Sequence, residues 1–415
     1  MQQRAETSDA EPAGRSELPV GQNGAQGRKT VLLLAQLPPP IHGVSTVTAR
    51  VKETLERDGD FVVRHRWLGG AVKLTDVGKR SLKKYVGFAK LLALLAVARA
   101  RGRKAAIAYL TLAPHGDAAL RDVLLVQFAK RAAHRCLVHV HTRGLEEILD
   151  GSTRKRRAFR SCLKGTELIA LSRAGAASAR ASGIFVETHY LPNTTTIVTD
   201  KRAGSGDQEP AERTLRCGFF GSMDARKGVL RFVDAIEHLR NAGLDVSGVI
   251  AGGDTKYLTA DAVRGVIADR GLGDHIDVRG FVPDDEKEAL LGALDILIYP
   301  SEHDLAPLVI LEVMARGVIP IAFDTGAIAE LMGDDFADHV VRDTSPGVFA
   351  AQVEQLVRRY SDGTARTEAA ERARRHIEEH HAPEAFEAQL LRIFTGADRA
   401  SAIDRSDMRK ADHNA

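Results

Sequence analysis

From Thr30 onward, short apolar runs alternate with amphipathic stretches whose apolar positions recur at helical spacing. The runs are TVLLLAQ (30–36), FVVRHRW (61–67), AAIAYLTL (105–112) and CLVHVH (136–141), with helical stretches at 44–57, 80–101 and 117–133 between them. Strand and helix in strict alternation predict βαβ units and a parallel sheet. A second series supplies strands at LRCGFFG (215–221), VSGVIAGG (246–253), IDVRGFV (276–282), DILIYPS (295–301) and VIPIAF (318–323). Its helices begin near Gly228, Tyr257, Asp284 and Pro307. Between the two series, DKRAGSGDQEPAER (200–213) is polar, with Gly and Pro, and reads as an inter-domain linker. The pattern therefore predicts two Rossmann-like α/β halves, 29–199 and 214–380, with a helical tail over 346–396 and disordered ends at 1–28 and 399–415.

Composition narrows the class. With 415 residues, 44% of them hydrophobic, the chain can bury two sizeable cores. A net charge of +3 is too small to mark the whole protein as a nucleic-acid binder. Cys136, Cys162 and Cys217 are widely spaced and form no C-x-x-C pair, which argues against a disulfide framework or a cysteine zinc site. The opening segment lacks the apolar core of a secretory signal. The longest apolar run, YVGFAKLLALLAVA (85–98), is broken by Lys90 and is too short to span a bilayer of ~30 Å. A cytoplasmic protein fits these features. Residues 73–104 nevertheless hold ten Lys or Arg against one acidic residue, Asp76, around that apolar run. Such a segment is either an amphipathic surface helix or a peripheral contact with the anionic inner face of a membrane.

The densest chemical information lies in DLAPLVILEVMARGVIPIAF (304–323). It follows a predicted buried strand, sets Asp304 in a loop, and puts Pro307 at the first helical position, where a missing N–H costs nothing. The free N–H groups at Leu308 then point toward an anion. Glu312 falls about one and a half turns into that helix. Its neighbours Leu308, Val309, Ile310, Leu311, Val313 and Met314 are all apolar, so its carboxylate needs a partner.

These residues resemble the signature of the retaining family-4 glycosyltransferases of the GT-B fold, in which two acidic residues flank seven others and a short strand follows. Here the pair is Asp304 and Glu312, with Asp where the family usually has Glu. Upstream, GSMDARKG (221–228) matches the family's Lys-Gly at Lys227 and Gly228, with Ser222 where Arg is frequent and Arg226 adjacent. Downstream, Asp324, Gly326 and Glu330 fit the family's acidic, Gly and Glu run. The resemblance implies two Rossmann-like domains facing a cleft, with a last helix, 381–398, crossing back to pack on the first. It also implies a nucleoside-diphosphate sugar as donor and a glycan or lipid-linked acceptor, as in polysaccharide or glycolipid biosynthesis. Glu312 would hold the donor ribose, Lys227 and the helix start at Leu308 the diphosphate, and Asp304 the donor sugar. No metal or cofactor is expected, because protein groups alone meet the phosphate charge in this fold.

In the first half, Gly43 lies in a strand-to-helix turn, LPPPIHGVSTVTARV (37–51), where glycine permits close backbone approach to a ligand. Its neighbour His42 reads as polar loop surface. His139 and His141 share one face of a strand by alternation, and the resemblance makes His141 the cleft histidine. Arg121 and Asp122 receive no role. HIEEH (376–380) matches an inverted zinc-protease pattern, but it sits in a helix charged nearly throughout, and a solvated face explains it. Two other functions share the same motifs. One is a GT-B sugar-nucleotide epimerase or hydrolase, the other a catalytically silent sugar-nucleotide-binding protein.

Overall fold

The computed structural model describes residues 27–66, 82–198 and 213–397. The expected tails, the linker and the first part of the basic segment lie mostly or wholly outside these. Among the described residues, β1 (Lys29–Leu34), β2 (Phe61–His65), β3 (Ala105–Leu112), β4 (Ala133–Val140), β5 (Glu167–Ala170) and β6 (Glu187–Tyr190) form one sheet, in the order β2-β1-β3-β4-β5-β6. A second sheet has the order β12-β11-β10-β7-β8-β9. It is built from β7 (Leu215–Phe220), β8 (Val246–Ala251), β9 (Ile276–Gly280), β10 (Ile296–Tyr299), β11 (Ile319–Phe323) and β12 (Val340–Val341). Among the described residues the strands of both sheets pair in parallel. All the strands expected from the pattern are present. The short β5, β6 and β12 were not foreseen.

The helices of the first half are α1 (Gly43–Asp58), α2 (Leu82–Ala100), α3 (Gly116–Ala132), α4 (Leu145–Asp150), α5 (Arg154–Leu163) and α6 (Arg173–Ala181). In the second half, α7 (Val229–Asn241), α8 (Ala260–Asp269), α9 (Asp284–Gly292), α10 (Leu308–Met314) and α11 (Ile328–Met332) alternate with strands. The tail is three helices, α12 (Pro346–Ser361), α13 (Gly363–His380) and α14 (Pro383–Thr395). Period-two alternation in β1 divides its side chains between two cores. Leu32 and Leu34 pack with α2 and α3, whereas Val31 and Leu33 pack with α1 and α14. On α1 the buried stripe is Val47, Val51 and Leu55, one residue per turn. On α2 it is Leu91, Leu95 and Ala98, so the apolar run of the basic segment is in part an ordinary core stripe.

The last helix does cross back. Phe386, Leu390, Ile393 and Phe394 of α14 are buried against Val31, Leu33, Tyr109 and Leu137 of the first sheet. Burial of each such side chain contributes roughly 1.5–3 kcal/mol. Arg135 of β4 caps the end of α14, donating to Phe394 O at 2.8 Å and Ile393 O at 2.7 Å, where helix carbonyls lack intrahelical donors. The same guanidinium grips buried Glu167 through Nε (2.8 Å) and Nη2 (2.6 Å). At the junction of the halves, Thr194 Oγ1 donates to His381 O (2.6 Å), and His381 Nδ1 donates to Asn193 O (2.8 Å).

Phe394 lies edge-on to Phe61 and tilted against Tyr109, with ring centroids 6.1 and 5.9 Å away. Phe394→Ala should destabilise the first half by about 3–5 kcal/mol, the cost of a large-to-small change in a packed core. Urea denaturation followed by circular dichroism measures it. A loss below about 1 kcal/mol would mean that α14 is not seated as described.

Candidate functional site

Three loops meet at the carboxyl edge of the second sheet, where ligands bind in open parallel sheets. Glycines let them meet backbone to backbone. Gly228, at φ 88° after the short 3₁₀ turn Ala225–Lys227, has no room for a side chain, because a Cβ would stand 2.2 Å from Pro300 O. Gly326, at φ 63°, lies as tightly on the next loop, where a Cβ would be 2.5 Å from Asp304 O and Leu305 O. Both contacts need a residue that tolerates left-handed φ and carries no side chain.

This packing brings Lys227 and Asp304 together. Their side chains, 27% and 15% exposed, form an ion pair through Nζ and Oδ1. The other oxygen of Asp304 accepts from Tyr299 Oη and Ser301 Oγ, both at 2.7 Å. Burial works to raise the Asp304 pKa, but Lys227 and the hydroxyl donors outweigh it, and the carboxyl is held below its ordinary range. Tyr299 moves the other way, pushed up by burial and then by the Asp304 charge, so it keeps its proton and donates. Tyr299 and Ser301 went unremarked in the sequence, although both stand at the end of a predicted strand just before Asp304.

Pro307 is the cap that precedes α10, not its first residue; the first helical position belongs to Leu308. The first free amide is still that of Leu308, since proline carries none. Glu312 does find a partner. Lys287 of α9 stands 2.9 Å from Oε1 and 2.8 Å from Oε2, with its hydrogen bond directed at Oε1 and no donor aligned on the buried Oε2. Nothing local could have revealed Lys287, which lies on the preceding βα unit. Arg226 is bound to Asp224 (2.7 Å) and lies over the Tyr257 ring. Ser222 lies in the same loop, half-buried.

The first half faces this edge. A Cβ on Gly43 would be 3.9 Å from Leu308 Cδ1, so the α1 turn and the start of α10 are opposed. His42 is more than loop surface: it caps α1, accepting from Ser45 N at 3.3 Å, with the Ser45 hydroxyl accepting from His42 N at 3.0 Å. His139 and His141 do share a face, their ring centroids 3.9 Å apart. Tyr109 Oη contacts His139 Nδ1 at 2.8 Å. Burial holds the Tyr109 pKa up, so the phenol donates and the ring nitrogen accepts. Burial, aided by His42, pushes the His141 pKa down to about 3, and burial likewise lowers that of His139. Both imidazoles are neutral at pH 7, and the Nε2 of each is buried without a hydrogen-bond partner.

Contacts between the halves frame the cleft. Arg143 donates to Glu302 O (2.7 Å), Asn193 Nδ2 to Ala306 O (2.8 Å), and Arg173 N to both oxygens of Glu330 (3.0 and 2.9 Å). A cavity of about 350 Å³ lies between α1 and α10, lined by Thr46, Arg50, Leu308, Glu312 and Arg316. Elsewhere, Asp122 pairs with Arg121 and accepts from Ala113 N, which pins the loop after β3. His376 is bonded to Leu331 O (2.8 Å), and among the described residues no three His, Cys, Asp or Glu gather as a metal site. All three cysteines are free thiols.

Comparison with known proteins locates this geometry. Residues 214–359 match the family model described as Glycosyl transferases group 1. A 2-deoxystreptamine glucosyltransferase of Streptomyces kanamyceticus is 31% identical over 151 residues, 36% of each chain. A GDP-mannose-dependent alpha-(1-6)-phosphatidylinositol dimannoside mannosyltransferase of Mycobacterium tuberculosis is 29% identical over 140 residues, 34% of each. The chain thus spans about a third of the length of these curated relatives. The fold extends further, since a sucrose-phosphate synthase from Thermosynechococcus elongatus superposes with a TM-score of 0.69 over 90% of this chain and 100% of that one, at 17% identity. Residues 214–359 carry the likeness to Glycosyl transferases group 1, and they do so as the second half of a GT-B fold.

Proposed function

We propose that this chain is a retaining glycosyltransferase that moves a sugar from a nucleoside-diphosphate sugar to a glycan or lipid-linked acceptor. The observation that carries this reading is the Lys227–Asp304 pair, which sits at the carboxyl edge of the second sheet, with the neutral His141 on the first half. The family match over 214–359 and the sugar-transferring relatives support it. In this reading Glu312 binds the donor ribose, and the start of α10 at Leu308 binds the diphosphate together with Lys227. As the glycosidic bond breaks, charge accumulates on the departing diphosphate, and the Lys227 ammonium offsets it. Asp304, acting only as an acceptor, takes hydrogen bonds from donor-sugar hydroxyls. His141 has a free Nε2 and no charge to repel or attract the diphosphate, and it lines the reacting centre from the other side. Front-face attack lets the leaving phosphate take the acceptor proton, so neither a dedicated base nor a metal is required.

A lipid-linked acceptor draws support from the outer face of α2 and α3. These helices pack together and leave Tyr85, Val86, Val97, Leu120 and Leu124 exposed, the largest fractions being 56% at Tyr85 and 66% at Leu120. Exposed Lys90, Arg99 and Arg101 accompany them. Apolar side chains with nearby cations suit an anionic lipid surface. Among the described residues no helix is long and apolar enough to cross a membrane, so the contact would be peripheral.

A panel of nucleotide sugars screened by thermal shift identifies the donor, because a ligand that binds only the folded state raises its stability. With that donor, Lys227→Ala should lower kcat by about 10²–10³-fold, with a smaller change in KM. An unchanged kcat with a raised KM would restrict Lys227 to ground-state binding. Turnover should persist in excess chelator; activity lost there and restored by magnesium would overturn the metal-free reading. Absence of any sugar transfer with every donor bound would overturn the function itself.

The membrane contact is tested by co-sedimentation with anionic and neutral vesicles. Binding is expected on anionic vesicles alone, weakened by salt and by replacing Tyr85 and Leu120 with Ser. Failure to bind either kind, or binding indifferent to those substitutions, would favour a soluble acceptor.

A further inference from the structure

Lys287 stands where helix electrostatics alone would not put it. It lies at the fourth position of α9, after Asp284, Asp285 and Glu286, and a helix N-terminus favours those carboxylates over an ammonium. What accounts for Lys287 is Glu312, whose two oxygens lie 2.9 and 2.8 Å from its Nζ. The neighbouring residue on α9, Glu288, pairs with Arg316, four residues after Glu312 and just past the end of α10. Arg316 Nη1 also donates back to Glu312 O at 2.5 Å. Two adjacent ion pairs therefore tie α9 to α10 and restrict the swing of the Glu312 side chain. Within this clamp the bond to Lys287 runs to Oε1. Oε2 is buried, has no donor aligned on it, and belongs to a residue that lines the cavity between the halves.

We propose that Lys287 is a positioning residue that fixes the Glu312 carboxylate so that Oε2 accepts from the vicinal hydroxyls of the donor's ribose. The inference rests on the nucleotide-sugar reading of this site. A glutamate left to sample its rotamers would lose that freedom on binding and weaken the complex. Lys287 orders the carboxylate beforehand and compensates its charge among apolar neighbours.

Calorimetry on the full chain with the common nucleoside diphosphates and their 2′,3′-dideoxy analogues tests this without requiring turnover. The wild type should bind the ribo form about tenfold more tightly than the dideoxy form, the scale of one hydrogen bond to a charged group. Lys287→Met keeps an unbranched apolar stem, one atom shorter, and removes the charge. It should bring the ribo affinity down to that of the dideoxy form while leaving dideoxy binding unchanged, which also shows that the variant is folded. Lys287→Arg should restore most of the ribo preference. A Lys287→Met protein that keeps the wild-type ratio overturns the inference, whether both affinities are unchanged or both fall equally, since a merely structural role weakens the two forms alike. A wild type that binds no nucleoside diphosphate overturns the reading of the site, and the inference with it.

Discussion

The relation between the two halves depends on the seating of α14. The chain passes from the first half to the second, runs through a complete second sheet, and returns to bury Phe386, Leu390, Ile393 and Phe394 in the first core. That return makes the cleft a property of one folded unit, because α1 alone covers only part of the face that bears Val31, Leu33, Tyr109 and Leu137 until the last helix arrives. Arg135 strengthens the dependence. Its charge is met by buried Glu167 on the neighbouring strand, and its remaining donors end α14, so one side chain ties the last helix to two strands of the first sheet. Removal of α14 would strip half-buried Arg135 of two carbonyl acceptors and open an apolar face to water.

The two walls of the cleft differ in how their charges are arranged. On the second half, charges are present but paired: Lys227 with Asp304, Lys287 with Glu312 and Arg316 with Glu288. On the first half Arg50 lines the cavity, while Tyr109 and His139 are wholly buried and, with His141, are kept neutral by that burial. An anionic group entering the cleft would exchange partners on one side and meet the Arg50 guanidinium beside neutral imidazole on the other. Paired ions in low dielectric pay their desolvation in advance, which leaves them able to respond to a new charge with little rearrangement.

Much of this was legible in the chain. The βαβ rhythm read from apolar periodicity reproduces the strands and main helices of both halves. It fails for β5, β6 and β12, which are two to four residues long and too short to show a period. The loop containing Asp304 and the helix containing Glu312 were readable because strand, proline and apolar helix lie in succession. What joins them to the rest was not. Lys227 meets Asp304 across 77 residues, and Lys287 meets Glu312 across 25. Such pairs are set by how strands are ordered in a sheet, and no local spacing records that order. His42 shows the converse: a capping residue identifiable from His-x-x-Ser was read as loop surface, because histidine is not among the usual caps.

Asn193 carries a consequence of another kind. It lies at the junction of the halves, where its backbone carbonyl accepts from His381 and its side chain donates to Ala306 O, two residues beyond Asp304. A rotation of one half about this junction must therefore either drag the Asp304 loop with it or break that bond. The opening of the cleft and the posture of the loop beneath it are thus geared together, like a door whose hinge plate is also fastened to the lock.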